Sequence, residues 1–192
     1  MLFYDTRLAQ SFTESGLRQR GLQLTRDALS TAGIYPLKCA PPDHDPALFT
    51  AVPTIIVNVG EGLYRQEFEL APRSIEEAKA GLKARAGAHR WDAETRGVEI
   101  AGFGLIPTGI EDQNRVATSI QGMERAGLAE VDYKLPGGWA RLTLGELVEV
   151  GKAITTHVEA CFARERQLHA EIDAAGSIEE LGLVDVGSGW PV

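Results

Sequence analysis

Cysteine is scarce in this chain. Cys39 and Cys161 are the only two among 192 residues, far apart and forming no C-x-x-C pair. That excludes a disulfide-stapled scaffold and a paired-cysteine metal knuckle, and it favours a buried free thiol at each position. Basic charge is also in short supply: 19 Lys and Arg stand against 27 Asp and Glu, for a net charge of -8 and a pI near 5.1. A nucleic-acid partner, whose phosphates reward a basic face, is not expected. No uninterrupted apolar segment is long enough to span a bilayer. The start, "MLFYDTRLAQSF", lacks the basic and apolar regions of a signal peptide. The expectation is a protein made and kept in a cytoplasm, with no membrane insertion. Phosphate-loop and catalytic signatures are missing as well: there is no G-K-[ST], GxGxxG, GxSxG or HExxH. The glycines of "GFG" (102–104) and "PGG" (136–138) read as turn residues.

The remaining composition, 44% hydrophobic and 24% charged, is that of a folded chain, enough for one ordinary domain or two small ones. Thr13 caps a helix predicted over Glu14–Ala32, which Gly33 ends. Four prolines then hold "GIYPLKCAPPDHDP" in extended or turn geometry. "TIIVNV" and "LYRQEFEL" flank Gly60-Glu61-Gly62 and predict a hairpin. Ser74 and Glu77 form a capping box for a helix reaching about Arg96. "GVEIAGFGLI" is a second hairpin bending at Gly102. Thr108 and Glu111 suggest another capping box, leading into a helix marked by Val116, Ile120 and Met123. "VDYKLPGGWARL" is a third hairpin. Thr143 and Glu146 cap a long last helix to about Ala174, and Ser177 opens one short turn before the tail. The fold class is therefore α+β, with antiparallel hairpins alternating with helices. The expected division is an N-terminal helix-plus-hairpin module, 1–73, and a C-terminal domain, 74–192.

One stretch hints at chemistry. In "THVEACFARERQLH", His157, Cys161 and Glu165 recur every four residues, with His169 beyond. Zinc needs three or four converging ligands, and one straight helix offers two. The others would have to come from Cys39, His44 or His89, which nothing brings near. A Cys–His nucleophile needs a thiolate, which an apolar mid-helix position disfavours. The structural alternative is a heptad seam: Leu147, Ile154, Cys161 and Leu168 interleave with Gly151, Val158, Glu165 and Ile172. This places Cys161 in the seam and His157 at its margin. No catalytic residue, metal ligand or cofactor is assigned. "DHD" (43–45) reads as a surface turn, Trp139 as a cover for its hairpin, and Trp190 as a tail residue that docks on the domain or on a partner.

The C-terminal strings carry a resemblance. "HRWDAETRGVEIAGFGLIPTG", "DQNRVATSIQGM" and "GGWARLTLGELVEVGKAITTHVEACFARERQLHAEIDAAGSIEELGLVDVGSGWP" resemble, in that order, a domain of unknown function of bacteriophage and prophage tail proteins. The likeness covers about Ala88 to Pro191. "GIYPLKCAPPDHDP" followed by "YRQEFEL" is similar, over a shorter span, to tail-fibre assembly proteins. The resemblance implies a non-enzymatic protein of the distal tail that contacts a tail fibre or baseplate protein. It would be an assembly chaperone or a fibre-attached virion component, present in the host cytoplasm and then in the virion tail. A homo-oligomer or fibre-matched, three-fold assembly follows from that role. Candidate partner-binding residues are Leu147, Ile154, Val158, Cys161, Leu168, Ile172 and Trp190, although the same seam serves equally well as the protein's own core. Two alternatives stand beside it: a host-glycan module using Trp190 or Tyr64, and a metal-dependent enzyme built on His157 and Cys161.

Overall fold

Short polar caps and turns, rather than long periodic runs, set the architecture of the N-terminal part. The computed structural model describes residues 1–191 and divides into two compact units, Met1–Arg73 and Ser74–Val192. In the first, β1 (Leu2–Asp5) and β2 (Gln10–Thr13) form an antiparallel hairpin. The Asp5 carboxylate closes its turn by accepting the N–H groups of Arg7 and Leu8 at 2.9 and 3.1 Å, a side-chain turn of the Asx kind. This hairpin is not among the elements expected from the sequence. The single helix expected over 14–32 is also corrected. α1 (Glu14–Gln19) ends where Gly21 turns left-handed, and α2 (Arg26–Thr31) starts afresh on Thr25, whose hydroxyl accepts from the Ala28 N–H. A second N-cap and a left-handed glycine outweigh a loose apolar periodicity.

β3 (Ile34–Lys38), β4 (Phe49–Gly60) and β5 (Leu63–Pro72) complete a five-stranded sheet in the order β2-β1-β3-β5-β4. The expected β4–β5 hairpin is present and longer than its apolar runs suggested. Only two residue pairs, Leu37 with Tyr64 and Lys38 with Arg65, join β3 to β5, in parallel. β4 is an edge strand, interrupted by Pro53 and by register shifts between Pro53 and Ile56 and between Asn58 and Gly60. Phe3, Leu17, Leu29 and Ile34 form the unit's small core, with Phe12, Leu22 and Leu24 packed around it.

The second unit is α+β as the pattern required. α3 (Ile75–Thr95) begins on the Ser74–Glu77 capping box. β6 (Val98–Ile100) and β7 (Gly104–Ile106) pair across the Gly102 bend. α4 (Ile110–Ala126) is not capped by Thr108, which corrects the second capping box: the N-cap is Gly109, with no side-chain bond. Thr108 is fully buried instead. Its hydroxyl donates to the Glu94 carbonyl and accepts the Gly97 N–H, tying the end of α3 to the segment that follows β7. β8 (Glu130–Leu135) and β9 (Gly138–Thr143) form the third hairpin.

α5 (Leu144–Ala174) follows on the Thr143–Glu146 capping box and runs for 31 residues, about 46 Å at the standard helical rise. The short α6 (Ile178–Leu181) starts on Ser177. α5 carries the unit's interior. Its N-terminal half packs with Ile106, Val116, Met123 and Leu142 in one cluster. Further along, Cys161, Leu168 and Ile172 are buried, and α3 packs against both α5 and α6. Each fully buried Leu or Ile contributes roughly 1.5–3 kcal/mol.

Candidate functional site

His157 points from α5 towards the C-terminal end of α3. Its Nε2 lies 3.0 Å from the Ala93 carbonyl, and the residue is buried. A carbonyl only accepts, so Nε2 carries the proton and donates. Cys161 Sγ stands 3.8 Å from that same nitrogen. The ring atom nearest the thiol therefore has no lone pair with which to take its proton. Burial, followed by the nearby Glu94 carboxylate, also pushes the Cys161 thiol above its ordinary pKa, which keeps it protonated. The pair is a clamp between α5 and α3 and not a nucleophile with its base. His157 is buried, where the heptad pattern placed it at a wet margin, because α3 covers it.

Glu165, the charged residue in the seam, belongs to a second polar cluster between the same helices. Arg90 Nε donates to Glu165 at 3.0 Å, and Arg90 Nη1 pairs with the buried Glu94. The Arg90 guanidinium also lies 4.7 Å from the centre of the Phe162 ring, within cation–π range. Gln113 of α4 donates to Glu94 and to the Thr108 carbonyl. His169 Nε2 is 3.8 Å from Glu165. A buried carboxylate held by arginine and amide donors is a satisfied internal network. Arg90 and Glu94 are four residues apart on α3, a spacing common on solvated helix faces; what buries them is contact with Glu165, 75 positions from Arg90, and Gln113, 19 from Glu94, which no local spacing signals.

The other metal-ligand candidates do not join this cluster. Among the described residues, no group of three or more His, Cys, Asp or Glu is placed to hold a metal ion. Cys39 and His44 belong to the first unit, where His44 Nδ1 donates to the Pro42 carbonyl at 2.7 Å. His89 stacks against Trp190, with ring centroids 6.4 Å apart. Trp190 is folded back on its own unit: its indole N–H donates to the Val186 carbonyl at 3.0 Å, and Arg164 donates to the Ser188 and Asp185 carbonyls of the same tail.

The heptad seam faces inward. Leu147, Ile154, Cys161, Leu168 and Ile172 are all buried within the unit. As partner-binding candidates these five are corrected, because a partner would reach them only by opening the core. Val158 is half-buried and lines a groove of about 750 Å³ between α4 and α5, together with Ala117, Ile120, Gly151, Lys152 and Glu159. The groove was not foreseen. Its signal is the apolar Val148, set off the seam by one helical step. A smaller cavity of about 350 Å³ lies under the β8–β9 hairpin, lined by Leu135, Leu142, Leu147 and Val150, with Tyr133, Asp112 and Arg115 also on its wall. In the first unit, Val52, Ile55, Val59 and Leu70 of the β4–β5 ribbon are exposed. Tyr64 stands in a row with Tyr4 and Tyr35, ring centroids 5.2 and 5.5 Å away. No described helix is long and apolar enough to cross a membrane.

A family model described as "Domain of unknown function (DUF4376)" matches residues 77–186, more than half of the chain and all within the second unit. No curated protein and no solved structure matches.

Proposed function

We propose that this chain, which belongs to the family of the domain of unknown function DUF4376, is a non-enzymatic bacteriophage tail protein that works by contact with a tail fibre or baseplate protein. The observation that carries the reading is the exposed apolar ribbon of the first unit. Val52, Ile55, Val59 and Leu70 stand in solvent on the β4–β5 hairpin, in the same segment whose "YRQEFEL" is similar to tail-fibre assembly proteins. Exposed apolar side chains along an edge ribbon offer a surface that a partner strand can pair with and cover. The role is that of an assembly chaperone or a fibre-attached component, as a homo-oligomer or in fibre-matched stoichiometry, acting in the host cytoplasm and then at the virion tail. Co-expression with a tail-fibre protein encoded in the same genome should yield a complex that co-purifies, and Ile55→Asp should weaken that complex. Retention of the chain in purified virions, read by mass spectrometry, separates a structural component from a chaperone. A wild-type chain that never co-purifies with fibre or baseplate proteins sinks the proposal.

A second reading, a host-glycan module, draws on Tyr35 and Tyr64, which line a cleft of about 760 Å³ with Asn58 and Glu61. Aromatic faces beside polar side chains suit a sugar ring. Binding on a glycan array that Tyr64→Ala abolishes would favour it over the first.

A further inference from the structure

α5 has a second face, opposite its buried seam, that its own unit leaves open. Centred on Thr155, the residues Val148, Lys152, Glu159 and Phe162 follow at spacings of three and four and so share one side of the helix. Phe162 is 47% exposed although large and aromatic. Beside this face runs the α4–α5 groove, with Ala117, Ile120, Ile154 and Val158 as its apolar lining and Gln113, Asn114, Glu124, Lys152 and Glu159 as its polar one. At Gly151 a Cβ would come within 3.1 Å of Ile120 Cδ1, so glycine there lets Ile120 of α4 pack directly on the α5 backbone and form the floor of the groove.

We propose that the occupant of this groove is a second copy of the chain, its α5 packed antiparallel on the first about a two-fold axis at Thr155–Thr156. The charges select the arrangement. Lys152 and Glu159 lie equally far on either side of that axis, so each lysine meets the glutamate of the other copy, twice by symmetry. A parallel pairing in register would set lysine on lysine and glutamate on glutamate. In a chain with net charge -8, self-association needs a face where opposite charges meet. Glu159 has no ion pair among the described residues, and Lys152 meets only Glu149, in an exposed contact at 2.7 Å. The same axis brings Thr155 against the partner's Thr156. It also carries the partner's Phe162 to the end of the groove bounded by Val148, Gly151 and Ile120. The contact is isologous, as two-fold interfaces are, and it stands independently of the tail reading.

Analytical ultracentrifugation of the full chain over a concentration series tests this. The wild type should sediment as a dimer. Lys152→Glu and Glu159→Lys should each weaken the dimer about tenfold or more, since each puts like charges together twice. The double variant K152E/E159K should return to within about threefold of wild type, because the swapped charges complement again. Phe162→Ala should also weaken it, with far-UV circular dichroism confirming an intact fold. A chain that stays monomeric at about 100 μM, a trimer, a dimer indifferent to the single reversals, or a double variant no better than the singles would each overturn the proposal.

Discussion

Replacing Thr108 by Val tests the buried joint between α3 and the segment after β7. Valine keeps the shape and the methyl packing of threonine but has no hydroxyl. Two bonds vanish together: the one Thr108 donates to the Glu94 carbonyl and the one it accepts from the Gly97 N–H, 3.0 Å long. Thr108 has no exposed surface, so water does not replace the lost partner. Each orphaned backbone group costs about 1–3 kcal/mol, which puts the variant about 2–6 kcal/mol below wild type. That is a large fraction of the roughly 5–15 kcal/mol that holds a domain together. Thr108→Ser keeps both bonds and loses one methyl group, about 1 kcal/mol. Thr108→Asn is the discriminating control. At a solvent-facing N-cap, Asn is at least as good as Thr; in this sealed site its larger amide strains the packing, and stability falls. Urea unfolding followed by circular dichroism reads all three, with the slope m checked for constancy. Thr108→Val within about 0.5 kcal/mol of wild type, or Thr108→Asn equal to it, would show that the hydroxyl is a cap and not a buried tie.

Leu168→Ala, on the seam residue with no exposed surface, should cost about 2–5 kcal/mol in the same assay. Leu183→Ala, at a residue 86% exposed, should stay within about 0.5 kcal/mol. A maleimide probe should label one thiol per native chain, the exposed Cys39, and two after denaturation, since Cys161 is buried with its pKa raised; rapid native labelling at Cys161 would refute the clamp. Glu146 has its pKa lowered, first by the bond it accepts from the Thr143 backbone N–H and next by the Thr143 hydroxyl. A folded-state pKa below the unfolded one gives stability that is complete above the ordinary carboxylate range and is lost as pH falls through the folded value. Glu146→Gln should therefore flatten the acid limb of a stability–pH curve and leave its slope near neutrality unchanged.

What was legible in the sequence was local. The Ser74–Glu77 and Thr143–Glu146 boxes put cap and acceptor three residues apart, and both form. The glycine turns at 60–62, 102 and 136–138 fixed three hairpins, because few other residues take the backbone angles those bends need. Thr108–Glu111 has the same spacing as a real box and is not one: a hydroxyl with two buried backbone partners from distant residues is worth more there than a cap. The β1–β2 hairpin escaped because its turn is made by the Asp5 side chain and by Ala9 at positive φ, with no glycine to announce it. The heptad seam was read as a stripe, and it is one. Which way a stripe faces depends on α3 and α4, whose positions no spacing within α5 encodes.

The unevenness of β4 also bears on how the chain behaves in a crowd. Phe49 to Gly60 are twelve consecutive residues without a charge, lying at the rim of the sheet, the kind of segment that templates fibril growth. Its regular pairing is broken into Phe49–Pro53, which ends on a residue with no N–H, and Ile56–Asn58. Neither run offers the six or so unbroken residues from which stacked strands propagate. The irregularities that look like imperfect pairing thus act as a fuse, letting an uncharged strand sit in the open at high concentration without seeding its own precipitation.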